Sequence, residues 1–329
     1  MKRLKQLTAL YGPSGREARV AEYIEKQLPT NAEVRRDPMG NLIVHLGGAG
    51  TRLVFASHMD TVGMMVTRID DGGYCYFTNV GGLDPASIAQ QAVVFENGAT
   101  GVVCISDDKV GKEIKLTDLY LDLGARDRVE AQALVSVGDM AMFAPQYHTA
   151  GSRVLSTFLD NRAGCEILLR AMEVIKEPKN DLYFVFTAQE EIGTRGAGPA
   201  AFGIDGAVGI AVDVTATDDV PGATHDGTAK LGAGAGIKVL DHSVLCRNEI
   251  ISAMERAAQA RDIPVQKDIM KTGGTDAGAM ATVRAGMMAG GISLPCRYTH
   301  APVEVCDKED LAACARLVAA MAETEIVPC

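Results

Sequence analysis

Helix and strand signals alternate at both ends of this chain and stop alternating in the middle, and that interruption constrains the architecture more than any other feature. Near the N-terminus, Ser14 followed three residues later by Glu17 matches a capping box ahead of the helical stretch "REARVAEYIEKQL". The short apolar runs "NLIVHL" and "RLVFAS" then read as strands separated by the glycine-rich turn "GGAGT". Alternation resumes after His148, with helical periods in "NRAGCEILLRAMEVIK", "RNEIISAMERAAQARD" and "KEDLAACARLVAAMAETE" and strands in "DLYFVFTAQ" and "AVGIAV". Between them lie "GMMVTRI", "GYCYFTNV", "QAVVFE", "TGVVCIS", "YLDLG" and "AQALVSV", brief β-type runs punctuated by Gly, Asn and Asp with no long helical period. Matching flanks around a different texture predict an insertion: residues 1–62 and 149–329 form a larger α/β domain with an open, mostly parallel sheet, and residues 63–148 a small β-rich domain set into it.

At 329 residues and 47% hydrophobic content, the chain can bury a sizeable core. Acidic residues outnumber basic ones by 42 to 32, for a net charge of −10, and no Lys/Arg block occurs, which argues against nucleic acid as a partner. The eight cysteines show no C-x-x-C spacing, which speaks against a disulfide framework and a thiolate zinc site and for a reducing compartment. The basic N-terminal start leads into no apolar signal-peptide core, and no apolar run is long enough to cross a bilayer. The expectation is a soluble, cytoplasmic protein with no membrane partner.

Three apolar strands each end in a potential metal ligand: "LVFAS" in His58, "LYFVFTAQ" in Glu190 and Glu191, and "VGIAV" in Asp213. Parallel strands present their carboxyl ends along one sheet edge, where ligands bind. Asp160, in "STFLDNRAG", and His300, in "CRYTHAPVE", extend the set to two histidines and four acids. Imidazole and carboxylate together suit zinc, cobalt or manganese. Two such cations, ~3.5–4 Å apart, need a bridging anion, and Asp160 is the natural bridge. His58 and Asp213 then complete one metal's ligands, Glu191 and His300 the other's. Asp60 accepts the second N–H of His58, and Glu190, left without a metal, serves as base toward a water. Each residue alone has a plainer reading: a solvated strand end for the histidines, a polar turn for the paired glutamates, an N-cap for Asp160.

The stretches "YGPSGRE" (11–17), "SHMDTVG" (57–63), "FLDNRAG" (158–164), "TAQEEIGTRGA" (187–197), "AVDVTATDDVPG" (211–222), "GGTDAGAM" (273–280) and "CRYTHAPVEV" (296–305) resemble, in order and character, the tetrahedral (TET) or glutamyl aminopeptidases among the dinuclear metallopeptidases. The resemblance spans nearly the whole chain. It implies a dinuclear zinc exopeptidase-like α/β domain sandwiched by helices, with an inserted barrel-like dimerisation domain. It also implies His58, Asp160, Glu191, Asp213 and His300 as ligands of two divalent metals, with Glu190 as general base and Asp60 as partner of His58. Peptides would be the substrates, and dimers would assemble into a dodecamer. Thr61, His242 and the loop "KLGAGAG" depart from the family's usual pattern, and none is a proposed ligand. In "GGTDAG" the glycines allow close approach to a bound peptide, with Asp276 a substrate-side candidate, although a plain turn accounts for the stretch equally well.

Two other functional classes compete. An endoglucanase-like glycosidase needs two carboxyl groups ~5–9.5 Å apart across a sugar linkage, which adjacent glutamates serve poorly. A catalytically silent metal-binding assembly protein would be marked by loss of a ligand or of the base, and all six positions are filled.

Overall fold

A computed structural model of the chain describes residues 1–109, 113–223 and 227–327. The described residues form an 11-stranded sheet and a separate closed barrel. From one edge the sheet runs Glu33–Arg36, Leu42–Gly47, Asp181–Thr187, Arg52–His58, Val208–Ala216, Met288–Arg297, Glu304–Asp307, Arg153–Ser156 and Tyr147–Ala150. Ala235–Leu240 pairs with Met288–Arg297 and with Val265–Ile269. The sheet is mixed, and its central block, from Asp181–Thr187 to Met288–Arg297, is parallel.

The parallel strands are continuous apolar runs because both their faces are covered. Phe184, Val185 and Phe186 are buried, as are Leu53 to Ala56 and Ile210 to Val212. Helices Leu159–Val174 and Lys308–Ala322 pack on each other and on this block, and Ala197–Ile204 and Asp276–Ala281 form a second covering pair. Tyr11 and Phe158 join this part of the molecule to the strand Met140–Phe143: the Tyr11 hydroxyl donates to the Met140 carbonyl at 3.0 Å, and the Phe158 ring stacks on Phe143.

The barrel closes in the order Gly63–Ile69, Cys75–Val80, Leu119–Asp122, Thr100–Ile105, Ala92–Phe95 and Met140–Phe143. All its pairings are antiparallel. Met64, Val66, Phe77, Val93, Phe95 and Leu121 fill its interior as a core distinct from that of the sheet. Closure removes the exposed edges that a small sheet would otherwise present.

Two local expectations are corrected. "AQALVSV" begins inside the helix Arg128–Leu134, whose N-cap Asp127 accepts the Glu130 N–H. A cap and the good helix formers that follow override the β-type texture of that run. The helix Ala18–Glu25 has no capping box: its N-cap is Glu17, without a side-chain cap bond. Ser14 donates instead to Asp60 at 2.6 Å, and Glu17 accepts from Gly15 and Gln189. Both side chains are drawn away to buried polar groups at the strand ends, where an unpartnered group costs more than an exposed cap does. Seven cysteines are free thiols, and Cys329 lies outside the described residues. Among the described residues no helix is long and apolar enough to cross a membrane.

Candidate metal centre

Strand register brings the polar residues to one rim. Thr187 pairs with His58 and Ala211 with Ala56, so His58, Asp213 and the residues after Thr187 emerge at one level. Asp160 reaches the same point from the first turn of Leu159–Val174, and His300 from the loop after Met288–Arg297.

The two oxygens of Asp160 face opposite partners. Its Oδ1 lies 3.1 Å from His58 Nε2, and its Oδ2 lies 3.3 Å from His300 Nε2. Asp213 sits 3.6 Å from His58 Nε2, and Glu191 sits 3.2 Å from His300 Nε2. Glu190 approaches His58 Nε2 at 3.9 Å. Ligand atoms of His58, Asp160 and Glu191 all fall within 4.8 Å of one another. The structure thus brings together six of the residues singled out from the sequence.

Electrostatics give this cluster its character. Burial pushes the Glu190 carboxyl well above the usual range and raises Glu191 and Asp213 as well. For His58, burial works against the charged ring, but Asp213 and Asp160 outweigh it and hold the pKa well up. Burial likewise opposes charge on His300, yet Asp160 and Glu191 lift it to about 12. Asp160 is held below the ordinary carboxylate range despite burial, by His300 and His58. Several carboxylates massed in a low-dielectric rim demand positive charge. The buried Glu191 Oε1 has no hydrogen-bond partner. An N/O donor set with an unsatisfied carboxylate oxygen fits divalent cations.

The backbone around these side chains is unusual. Phe158, Gln189, Thr194, Tyr298 and His300 all have left-handed φ values of 51–64° without being glycine. Such conformations are uncommon and concentrate at functional sites, where surrounding contacts hold them.

Asp60 has more contacts than the sequence suggested. Its carboxylate accepts the Glu190 N–H at 2.9 Å, the Glu191 N–H at 3.1 Å and the Ser14 hydroxyl. Nδ1 of His58 lies 3.1 Å from the Asp60 carbonyl oxygen and 3.5 Å from its carboxylate. The closer imidazole contact is therefore to the backbone, and the side chain mainly fixes the glutamate pair.

Glu304 was missed in the sequence. It is buried, and its carboxylate accepts the Asp160 N–H at 2.9 Å and the His300 N–H at 2.8 Å. Asp60 and Glu304 therefore play parallel parts: each acid ties down the backbone of two site residues. The one available signal was position, four residues after His300 in the same motif. Gly81 and Gly82, which follow the barrel strand Cys75–Val80, were also missed. A Cβ on Gly81 would fall 3.1 Å from the Glu191 Cβ, and one on Gly82 3.1 Å from His300 Nδ1. Glycine at both positions lets the barrel's connecting turn approach this closely without crowding the two side chains.

Asp276 is placed differently from the expectation. It does not line the cavity at the centre but lies buried behind the strand end, accepting the Thr187 hydroxyl at 2.6 Å. Burial pushes its pKa up to about 7. The fold directs this carboxyl toward the sheet because it opens a short helix packed on the parallel block. Its neighbours Gly273 and Gly274 do line the cavity.

Comparison with known proteins agrees with this architecture. The family model of the M42 glutamyl aminopeptidases matches residues 40–317. A putative aminopeptidase of Acetivibrio thermocellus is 41% identical over 94% of this chain and 94% of its own. A lysyl aminopeptidase of Pyrococcus furiosus is 32% identical over 88% of this chain and 87% of its own. Among solved structures, the Pyrococcus horikoshii TET1 peptidase, which can assemble into a tetrahedron or a large octahedral shell, superposes with a TM-score of 0.88. It is 32% identical and covers 98% of each chain. A family match over most of the sequence, on a fold shared along its whole length, shows that this chain belongs to the M42 glutamyl aminopeptidase family.

Proposed function

We propose that the protein is a two-metal aminopeptidase that removes N-terminal residues from peptides. The observation that carries this reading is the divided Asp160 carboxylate, one oxygen toward His58 and the other toward His300. Asp160 would be shared between two metals, with His58 and Asp213 holding one and Glu191 and His300 the other. Zinc or cobalt suits these donors best, and manganese is also compatible. When bound, the metals lower the pKa of a water and polarise the scissile carbonyl.

The chain's own groups do the rest. Glu190 lies beside the ligands without being needed by either set, and burial raises its proton affinity. It takes the proton of the attacking water and delivers it to the departing amine. Asp60 keeps Glu190 and Glu191 in register through their backbone N–H groups, so that one glutamate is ligand while its neighbour stays free. The β-barrel segment, within residues 63–148, is the dimerisation module of a larger homo-oligomer, by analogy with the shells formed by the P. horikoshii relative.

The test is Glu190→Gln. The variant is expected to hold two metals per chain, measured by metal analysis after dialysis, and to lose ~10²–10⁴ of the rate on aminoacyl-nitroanilides. Near wild-type turnover would remove Glu190 from the mechanism. Absence of bound metal in the wild-type protein would remove the mechanism itself.

A further inference from the structure

The cavity at the metal centre, about 480 Å³, carries a wall whose chemistry bears on which peptides enter. Its charged lining residues, among those described, are the six of the centre itself. The remainder of the wall includes apolar Val214, Ala216 and Met270 and the hydroxyls of Ser243, Thr272 and Thr299. We propose that this pocket selects peptides with an uncharged, apolar N-terminal side chain, of methionine or leucine type, and that Met270 sets the preference. The inference rests on the aminopeptidase reading above and adds a substrate class to it.

Several charges close to the wall are already engaged. Directly beneath it, Lys238 Nζ meets Asp268 Oδ2 at 2.7 Å, both residues being 1% exposed. The other Asp268 oxygen accepts the hydroxyl of Thr215, the residue between Val214 and Ala216. Asp241 accepts from the N–H and hydroxyl of Ser243, the Val244 N–H and the Thr275 hydroxyl. Asp219 is held by Arg297 at 2.8 Å. A glutamate side chain entering here would meet no cation on the described lining beyond the two histidines of the centre, and a lysine would meet only the centre's carboxylates, which the proposed metals and the Glu190 base engage, so either charge would be buried at a cost.

Met270 is a fixed part of this wall. Its N–H donates to the Leu240 carbonyl at 3.0 Å, and its sulfur lies 3.6 Å from the Thr215 hydroxyl. The glycines of the next turn pass close to it and to Ser243. A Cβ on Gly273 would come within 3.2 Å of the Met270 Cε, and one on Gly274 within 2.9 Å of the Ser243 Cβ. A flexible thioether in such a setting offers an adaptable apolar contact. Although the family model carries the name glutamyl and one relative the name lysyl, the described wall of this chain offers no charged residue outside the centre itself.

The experiment is a panel of aminoacyl-nitroanilides on the metal-loaded, full-length protein. Methionyl and leucyl substrates are expected to exceed lysyl and glutamyl ones by at least ~10-fold in kcat/KM. Met270→Glu is expected to raise the lysyl-to-leucyl ratio by ~10-fold or more, and Met270→Ala to reduce the advantage of methionyl over alanyl substrate. Metal content and thermal unfolding of each variant establish that the centre is intact. A wild-type preference for lysyl or glutamyl substrate, or ratios unmoved in both variants, would overturn the specificity proposal alone. No turnover of any substrate with both metals bound would overturn the aminopeptidase reading, and this proposal with it.

Discussion

Replacing Glu304 by glutamine changes one oxygen to an amide nitrogen and leaves the side chain's shape intact. The carboxylate now accepts two backbone N–H groups, from Asp160 at 2.9 Å and His300 at 2.8 Å. Glutamine has a single acceptor oxygen, so one of those N–H groups must face another donor. A hydrogen bond to a charged group contributes roughly 1.5–3 kcal/mol, which sets the gross loss. Part of it is returned, because burial and the nearby Asp160 carboxylate push the Glu304 pKa well above its ordinary value, and the amide carries no such charge. Net destabilisation of the metal-free protein should therefore stay below about 2 kcal/mol. Metal affinity should suffer more, since the displaced backbone belongs to a proposed bridge and a proposed ligand. Loss of such supporting contacts typically lowers affinity ~10–100-fold. Equilibrium dialysis at graded free zinc, set beside thermal unfolding of the metal-free variant, separates the two effects. Glu304→Asp, which keeps both acceptors on a shorter stem, should recover part of the affinity. Wild-type affinity at both sites in Glu304→Gln would refute the reasoning, and so would a loss fully accounted for by unfolding.

Other outcomes follow from the same structure. Glu191→Ala should lower the occupancy of one metal per chain and leave the other, read by metal analysis after dialysis; unchanged stoichiometry would remove Glu191 from the ligands. Arg162 is fully buried and donates to the carbonyls of Leu7, Leu10 and Gly12. Arg162→Met should destabilise the fold by about 3 kcal/mol through unpartnered carbonyls, seen as a lower urea midpoint. The hydrogen bonds from Arg297 hold the Asp219 pKa far below its ordinary value. A depressed carboxylate stabilises the fold above its unfolded pKa, near 4, and loses that contribution as pH falls further. Arg297→Gln should therefore reduce stability at pH 6 and flatten its fall on acidification below about pH 4, measured by urea unfolding at both ends.

Much of the architecture is written locally. The runs "RLVFAS", "LYFVFT" and "VGIAV" are mostly apolar because their strands are buried on both faces, and the polar residues that end them are read directly. The outer sheet strands were less legible, since short pieces such as Tyr147–Ala150 carry little burial pattern and their antiparallel pairing depends on distant partners. At Arg128–Leu134 the Asp127 cap and the helix formers after it likewise decided the helix against the β-type reading of "AQALVSV".

By itself the sequence determined which residue types stand where each central strand ends, because apolar patterning is a property of neighbours along the chain. Only the tertiary structure decided which backbone each buried acid would hold. Ser14 looked like a helix cap and is bound to Asp60, Asp276 looked substrate-facing and turns to Thr187, and Glu304 bonds the Asp160 backbone across 144 positions. A buried carboxylate must find donors wherever the packed chain supplies them, and at this rim they come from segments that no local pattern connects.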